Sequence, residues 1–144
     1  MKIFRYLALS LILLQLSCEK ASNSETLEPW ADSDIKSVID DFFTALGNAD
    51  STSMRKLVSE DFHMFEHDVK WNVDSLVALM PLTIGRKWEV RELAIAQDNE
   101  LIHVNYFNQG VIPNDRSWFE SMLIRKVNGE LKIDFMHSTK LYLK

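Results

Sequence analysis

Apolar and polar positions alternate most regularly over residues 116–137, RSWFESMLIRKVNGELKIDFMH, where two β-prone runs flank Asn128-Gly129. An Asn-Gly pair in that setting signals a hairpin, because a type I′ turn needs positive φ at both central residues. With Val127 facing Glu130 across the turn, the register predicts Ile124 opposite Ile133, Met122 opposite Phe135, Glu120 opposite His137 and Trp118 opposite Thr139. Side chains two apart share a face, so all of these form one stripe, apolar near the turn and carrying a carboxylate beside an imidazole toward its far end. A second hairpin is expected from residues 87–97 and 100–109 around Asp98-Asn99, with Leu93 facing Val104, Ile95 facing Ile102 and Arg91 facing Tyr106.

Upstream the period changes to that of a helix. Ile35, Val38, Ile39, Phe42, Phe43 and Leu46 recur at three- and four-residue spacing after Ser33 or Asp34 as a cap, and Gly47-Asn48 supplies a stop. Asp50 or Ser51 opens a shorter helix with Met54, Leu57 and Val58 on one face, ending before Asp61. Residues 62–69, FHMFEHDV, are aromatic and short, which reads as a strand. Asn72 or Asp74 starts a third helix carrying Val73, Leu76, Val77 and Met80, which Pro81 closes. The order is three helices, interrupted by one strand, then two hairpins: an α+β domain over residues 30–144, with the helices on one face of an antiparallel sheet. Residues 87–90, 101–107 and 119–123 are apolar or aromatic on both faces, more than one covered face requires, and this predicts a homodimer through the outer sheet face.

Residues 1–17 depart from this pattern. Lys2 and Arg5 precede an apolar run from Tyr6 to Leu16, too short for a stable membrane span and of the form of a secretory signal. Cys18, the single cysteine of the 144-residue chain, follows at once. A cysteine so placed resembles the acylated first residue of a mature bacterial lipoprotein, although Gln15 stands where an aliphatic residue is usual; the other reading is an ordinary cleaved signal. Residues 18–29 are rich in Ser, Glu and Asn and form a tether with too little apolar surface to order itself. The expected location is therefore the cell envelope, outside the cytoplasm, with the N-terminal lipid as the membrane link. The formal charge of −5 leaves no basic footprint for nucleic acid, and removing residues 1–17 takes away two basic residues and no acid.

Candidate chemistry is sparse. His63, Glu66 and His67 match an H-x-x-E-H zinc pattern, but on a strand, residues four apart are separated by about 13 Å, far beyond a shared ion. No metal and no cofactor is expected, since no redox or phosphate motif accompanies them. Glu120 and His137 form the better pair, because a carboxylate can orient an imidazole as a general base. A pocket would be lined by Phe62, Tyr106, Trp118, Met122 and Phe135, with Glu66, Glu120 and His137 as its polar groups.

The order of helices and strands, DFHMFEHDVKWN leading into the third helix, and NGELKIDFMHS near the end resemble the nuclear transport factor 2-like superfamily, especially its SnoaL-like members. The resemblance covers about residues 30–143. It implies a cone of three helices over a strongly bent antiparallel sheet, enclosing a pocket that members use for isomerisation, dehydration, cyclisation or binding alone, and it also implies a dimer. Steroid-isomerase-like relatives carry a base on the first strand, which falls on Glu66. They also carry a Tyr on the first helix, where this chain has Phe42 and Phe43, so their acid pair is incomplete here. The expected function is a module that binds a small apolar or amphipathic ligand or a partner protein. The alternative is a cofactor-independent acid–base enzyme using Glu66 or His137.

Overall fold

The structure, a computed structural model, describes residues 28–98, 100–113 and 116–142; the signal run, Cys18 and most of the tether lie outside them. Helix α1, Asp32–Asn48, begins slightly before the expected cap, with Asp32 and Asp34 in its first turn where the helix dipole favours negative charge. Ile35, Ile39 and Phe42 on its inner side are essentially inaccessible to water. Gly47 does not end the helix. It is buried within it because a Cβ there would stand 2.5 Å from the Arg86 carbonyl oxygen, and its own carbonyl accepts from Gly85 N at 2.9 Å. The left-handed terminal residue is Ala49, at φ 53°.

Helix α2, Ser51–Leu57, is capped by Asp50, whose side chain accepts from Ser53 N at 3.0 Å. Val58 does not extend it, as the helical spacing predicts, but opens strand β1, Val58–Glu66, pairing in parallel with Ile133. Its branched Cβ suits a pleated, half-buried position. A turn at His67, φ 56°, separates β1 from a short strand β2, Val69–Asn72, so the expected single strand over residues 62–69 is two. Asn72 and Ser75 form a reciprocal capping box at the start of α3, Val73–Leu79. Pro81 falls within a following 3₁₀ turn, Met80–Thr83, where its missing N–H costs nothing. The Thr83 hydroxyl donates to the Leu46 carbonyl at 2.6 Å, tying this turn to α1.

Strands β3 (Lys87–Gln97), β4 (Leu101–Ile112), β5 (Ser117–Val127) and β6 (Glu130–Leu141) complete one six-stranded sheet in the order β2-β1-β6-β5-β4-β3, antiparallel except where β1 meets β6. The fold is α+β, three helices over one face of a curved sheet, and the core lies between them. Trp30 is held at the start of the domain by reciprocal 3.0 Å hydrogen bonds between its backbone and the Gln97 amide.

Register decides which residues see the core. Near Asn128-Gly129, both at positive φ, the last hairpin pairs as its turn dictates: Val127 with Glu130 and Ile124 with Ile133. A bulge then places Asp134 as an extra residue, and beyond it Leu123 faces Phe135, Met122 faces Met136, Ser121 faces His137 and Glu120 faces Ser138. The Asp134 carboxylate accepts from the Ser59 hydroxyl at 2.8 Å and from the Arg125 guanidinium, which secures the bulge from both neighbouring strands. The expected pairs Met122–Phe135, Glu120–His137 and Trp118–Thr139 are therefore corrected. In the other hairpin Ile95 faces Val104 and Gln97 faces Ile102, two residues from the expected alignment, because Asp98 N donates to the Leu101 carbonyl and the turn lies one position further along the chain. A further bulge at Glu92, φ 54°, sets Arg91 opposite Phe107 rather than Tyr106.

Candidate functional site

The inner phase of β4 carries Ile102, Val104, Tyr106 and Asn108, and that of β5 carries Trp118, Glu120, Met122 and Ile124, all buried. Past the Asp134 bulge, β6 contributes Met136 and Ser138 to the same side. The sheet thus delivers Asn108, Glu120 and Ser138 as three adjacent polar groups on an otherwise apolar floor. The Ser138 hydroxyl donates to Glu120 Oε1 at 2.9 Å, and Asn108 Nδ2 donates to Glu120 Oε2 at 3.1 Å.

Above this floor lies a cavity of about 130 Å³. Phe42, Phe43 and Leu46 of α1, Leu76 and Leu79 of α3, Met64 of β1, Trp88 of β3, and Trp118 and Met136 supply its apolar wall; Glu66, Thr83, Arg86, Asn108, Glu120 and Ser138 supply its polar groups. Burial raises the Glu120 carboxyl to about 7, against the lowering effect of the Ser138, Tyr106 and Asn108 side chains beside it, and the Glu66 charge adds to the rise. At neutral pH the group is poised between its neutral and ionised forms. The neighbouring Tyr106 hydroxyl is buried without a hydrogen bond of good geometry, and burial, reinforced by the Glu120 charge, pushes its phenol well above the usual range. Asn108 Oδ1 is buried without any partner.

The expected site residues separate into three groups. Glu66, Glu120 and Trp118 border the cavity. Phe62, Met122 and Tyr106 are buried on the inner side of the sheet as core residues rather than in the cavity wall. Phe135 and His137 are on the other side. The Phe135 ring packs on His63 at 5.1 Å and Phe65 at 5.9 Å, while His137 is exposed in an outer groove with Phe119 and Thr139. His137 therefore does not orient against Glu120, and the proposed dyad is corrected: one extra residue at Asp134 sends the two side chains to opposite faces. His63 and His67 also diverge, His63 toward Phe135 and His67 stacked on Tyr142.

Asn108, Ser138, Arg86 and Trp88 were not among the expected site residues. Asn108 was legible, since it continues the inner phase of Ile102, Val104 and Tyr106. Ser138 becomes an inner residue only once the bulge is known, and Arg86 reaches the cavity from a loop that no periodicity describes.

Three helices over one face of a curved six-stranded sheet in this order are the nuclear transport factor 2-like, or cystatin-like, fold. No family model and no curated protein matches the sequence. Among solved structures, the chain is similar to a nuclear transport factor 2-like protein from Cytophaga hutchinsonii, with a TM-score of 0.69 at 14% identity over 78% of this chain and 100% of that one. A protein of unknown function with a cystatin-like fold from Nostoc punctiforme gives a TM-score of 0.70 at 13% identity, covering 80% and 94%. A candidate ketosteroid isomerase from Shewanella frigidimarina gives 0.63 at 19%, covering 74% and 95%. At these identities the likeness is one of fold.

Proposed function

We propose that this chain is an exported, Cys18-lipidated domain that binds a small apolar or amphipathic ligand in the cavity above Glu120. The observation that carries the binding reading is a buried, hydrogen-bonded carboxyl at the floor of a cavity walled mainly by aromatic and aliphatic side chains, the usual composition of a small-molecule site. An apolar body would rest against Trp88, Trp118, Phe42 and Phe43, and a polar head would meet Glu120 and Glu66. Native mass spectrometry of the purified protein, followed by ligand extraction, tests this. A bound small molecule lost on substituting Trp118→Ala supports it; a chain that retains no small molecule and takes up none from a fragment panel contradicts it. Export and anchoring rest on the signal pattern, and equal palmitate incorporation in wild type and Cys18→Ala would refute them.

The outer sheet face is proposed as the surface of a homodimer. Phe119 is 55% exposed there and packs on Phe107 at 5.7 Å, and Phe65 and Leu101 are also exposed. Light scattering showing only monomer at tens of micromolar would count against it.

An acid–base enzyme is a second reading, favoured by one observation: two carboxyl groups border the same cavity and the charge on one resists ionisation of the other. A carboxyl raised in this way can serve as an acid, here Glu120, with Glu66 as the candidate base. Hydrogen–deuterium exchange beside the carbonyl of a one-ring ketone, present in wild type and lost in Glu66→Gln, would support this reading; no exchange above buffer would remove it.

A further inference from the structure

Two carboxyl groups and an unpaired amide oxygen border the cavity. Glu120 takes one hydrogen bond on each oxygen, from Ser138 and from Asn108, and the second of these fixes the Asn108 amide so that its Oδ1 has no partner, although the residue is only 1% exposed. A buried acceptor left unpaired costs about 1–3 kcal/mol, and Asn108 Oδ1 stays unpaired even though the Tyr106 hydroxyl, two residues away on the same strand, is also without a partner, so the orphan beside the cavity points to a donor from outside the chain. Glu66 adds a second carboxyl to the same space. Arg86 is the cation of the cavity lining; it is half-buried and also borders the surface groove beside Gly47 and Lys87.

Resting on the ligand-binding reading above, we propose that the ligand is a small primary amine with an apolar body of about one six-membered ring, its ammonium group donating to Asn108 Oδ1 and Glu120 and facing Glu66. An ammonium has three donors and no acceptor, and so satisfies several acceptors at once; a hydroxyl offers one donor, and a carboxylate offers none while meeting two carboxyl groups against the single cation Arg86. The aromatic wall suits a cation as well as an apolar body, because ring faces attract positive charge. The size follows from the cavity, about 130 Å³, close to the ~150 Å³ of an apolar cavity that accepts benzene.

Ammonium binding favours the ionised Glu120 carboxylate, so affinity rises as pH passes upward through about 7. The other ionisable groups around it are Glu66 from β1, Arg86 after α3, and Tyr106 from β4. Calorimetric titration of the full-length chain with benzylamine, benzyl alcohol and phenylacetate at pH 6 and pH 8 tests the inference, since benzylamine stays protonated over that range. Benzylamine should bind best and about tenfold more tightly at pH 8 than at pH 6, the ratio expected for a single group titrating near 7. Glu120→Gln should flatten that dependence and weaken binding at pH 8 about tenfold; should that variant fail to fold, the wild-type pH ratio decides alone. Benzyl alcohol binding as well as benzylamine, or phenylacetate binding better, would overturn the amine while leaving a ligand pocket in place. No binding by any of the three would overturn both.

Discussion

The two halves of the β5–β6 hairpin obey different authorities. Between Asn128-Gly129 and Ile133 the turn sets the register, and every partner follows from counting outward from Val127 and Glu130. Beyond Asp134 the register is set by tertiary contacts, because the extra residue is secured by Ser59 on β1 and Arg125 on β5. A local signal therefore has a limited reach: a turn governs alignment only until another element holds a residue out of the ladder. Since side chains alternate with period two, one such residue exchanges the faces of everything after it. That exchange puts Ser138 beside Glu120, sends His137 outward, and turns an apparent carboxylate–imidazole pair into a buried carboxyl with neutral partners.

Substitutions on either side of Asp134 report which residues face the core. Met136 is 1% exposed, and Met136→Ala should destabilise the domain by about 2–5 kcal/mol in chemical denaturation, the range for emptying a core site. Phe135→Ala, on the outer face, should cost less than half as much despite removing a larger side chain. The opposite order would mean that the hairpin keeps its turn-set register throughout.

Glu120→Gln should sharpen the same distinction through pH. The folded-state value of about 7 lies above the ordinary 4.5, so the folded protein holds a proton there that the unfolded chain releases. The stability this contributes is fully present below pH ~4.5 and is lost as pH rises through about 7. Wild type should therefore lose about 3 kcal/mol relative to Glu120→Gln between pH 4.5 and pH 8, measured as the difference between their denaturation midpoints along the series. Parallel curves for the two proteins would place Glu120 in solvent.

Ser138→Ala should cost about 1–3 kcal/mol by removing a donor from a buried carboxyl, and should raise the Glu120 titration further, because that hydrogen bond favours the ionised form. The smallest effect belongs to His137→Ala, within about 0.5 kcal/mol for an exposed side chain. A loss comparable to that of Ser138→Ala would restore the pairing that the bulge removes.

Much of this fold was legible in the sequence. The helical stripe of α1, the Asn-Gly turn and the sheet-forming runs come from local periodicity, and those parts carry strong local signals. Glu120 stood out because it interrupts an apolar phase. Its partners did not, since Ser138 changes face at Asp134 and the trace of that slip is only the adjacent pair Phe135-Met136 after the alternating Leu131 and Ile133. Gly47 reads as a helix stop because glycine favours that role, while its actual constraint, the nearby Arg86 carbonyl, comes from a residue 39 positions later. Both misreadings arise where a distant contact overrides a local preference.

Glu120 faces the interior with Ser138 and Asn108, and His137 lies across the sheet from it. Carbon-detected NMR titration of the Glu120 side-chain carboxyl, in wild type and in His137→Ala, reads this directly. The account predicts a midpoint near 7 in both proteins. A midpoint near 4.5, or one that moves by a full unit when His137 is removed, would contradict it.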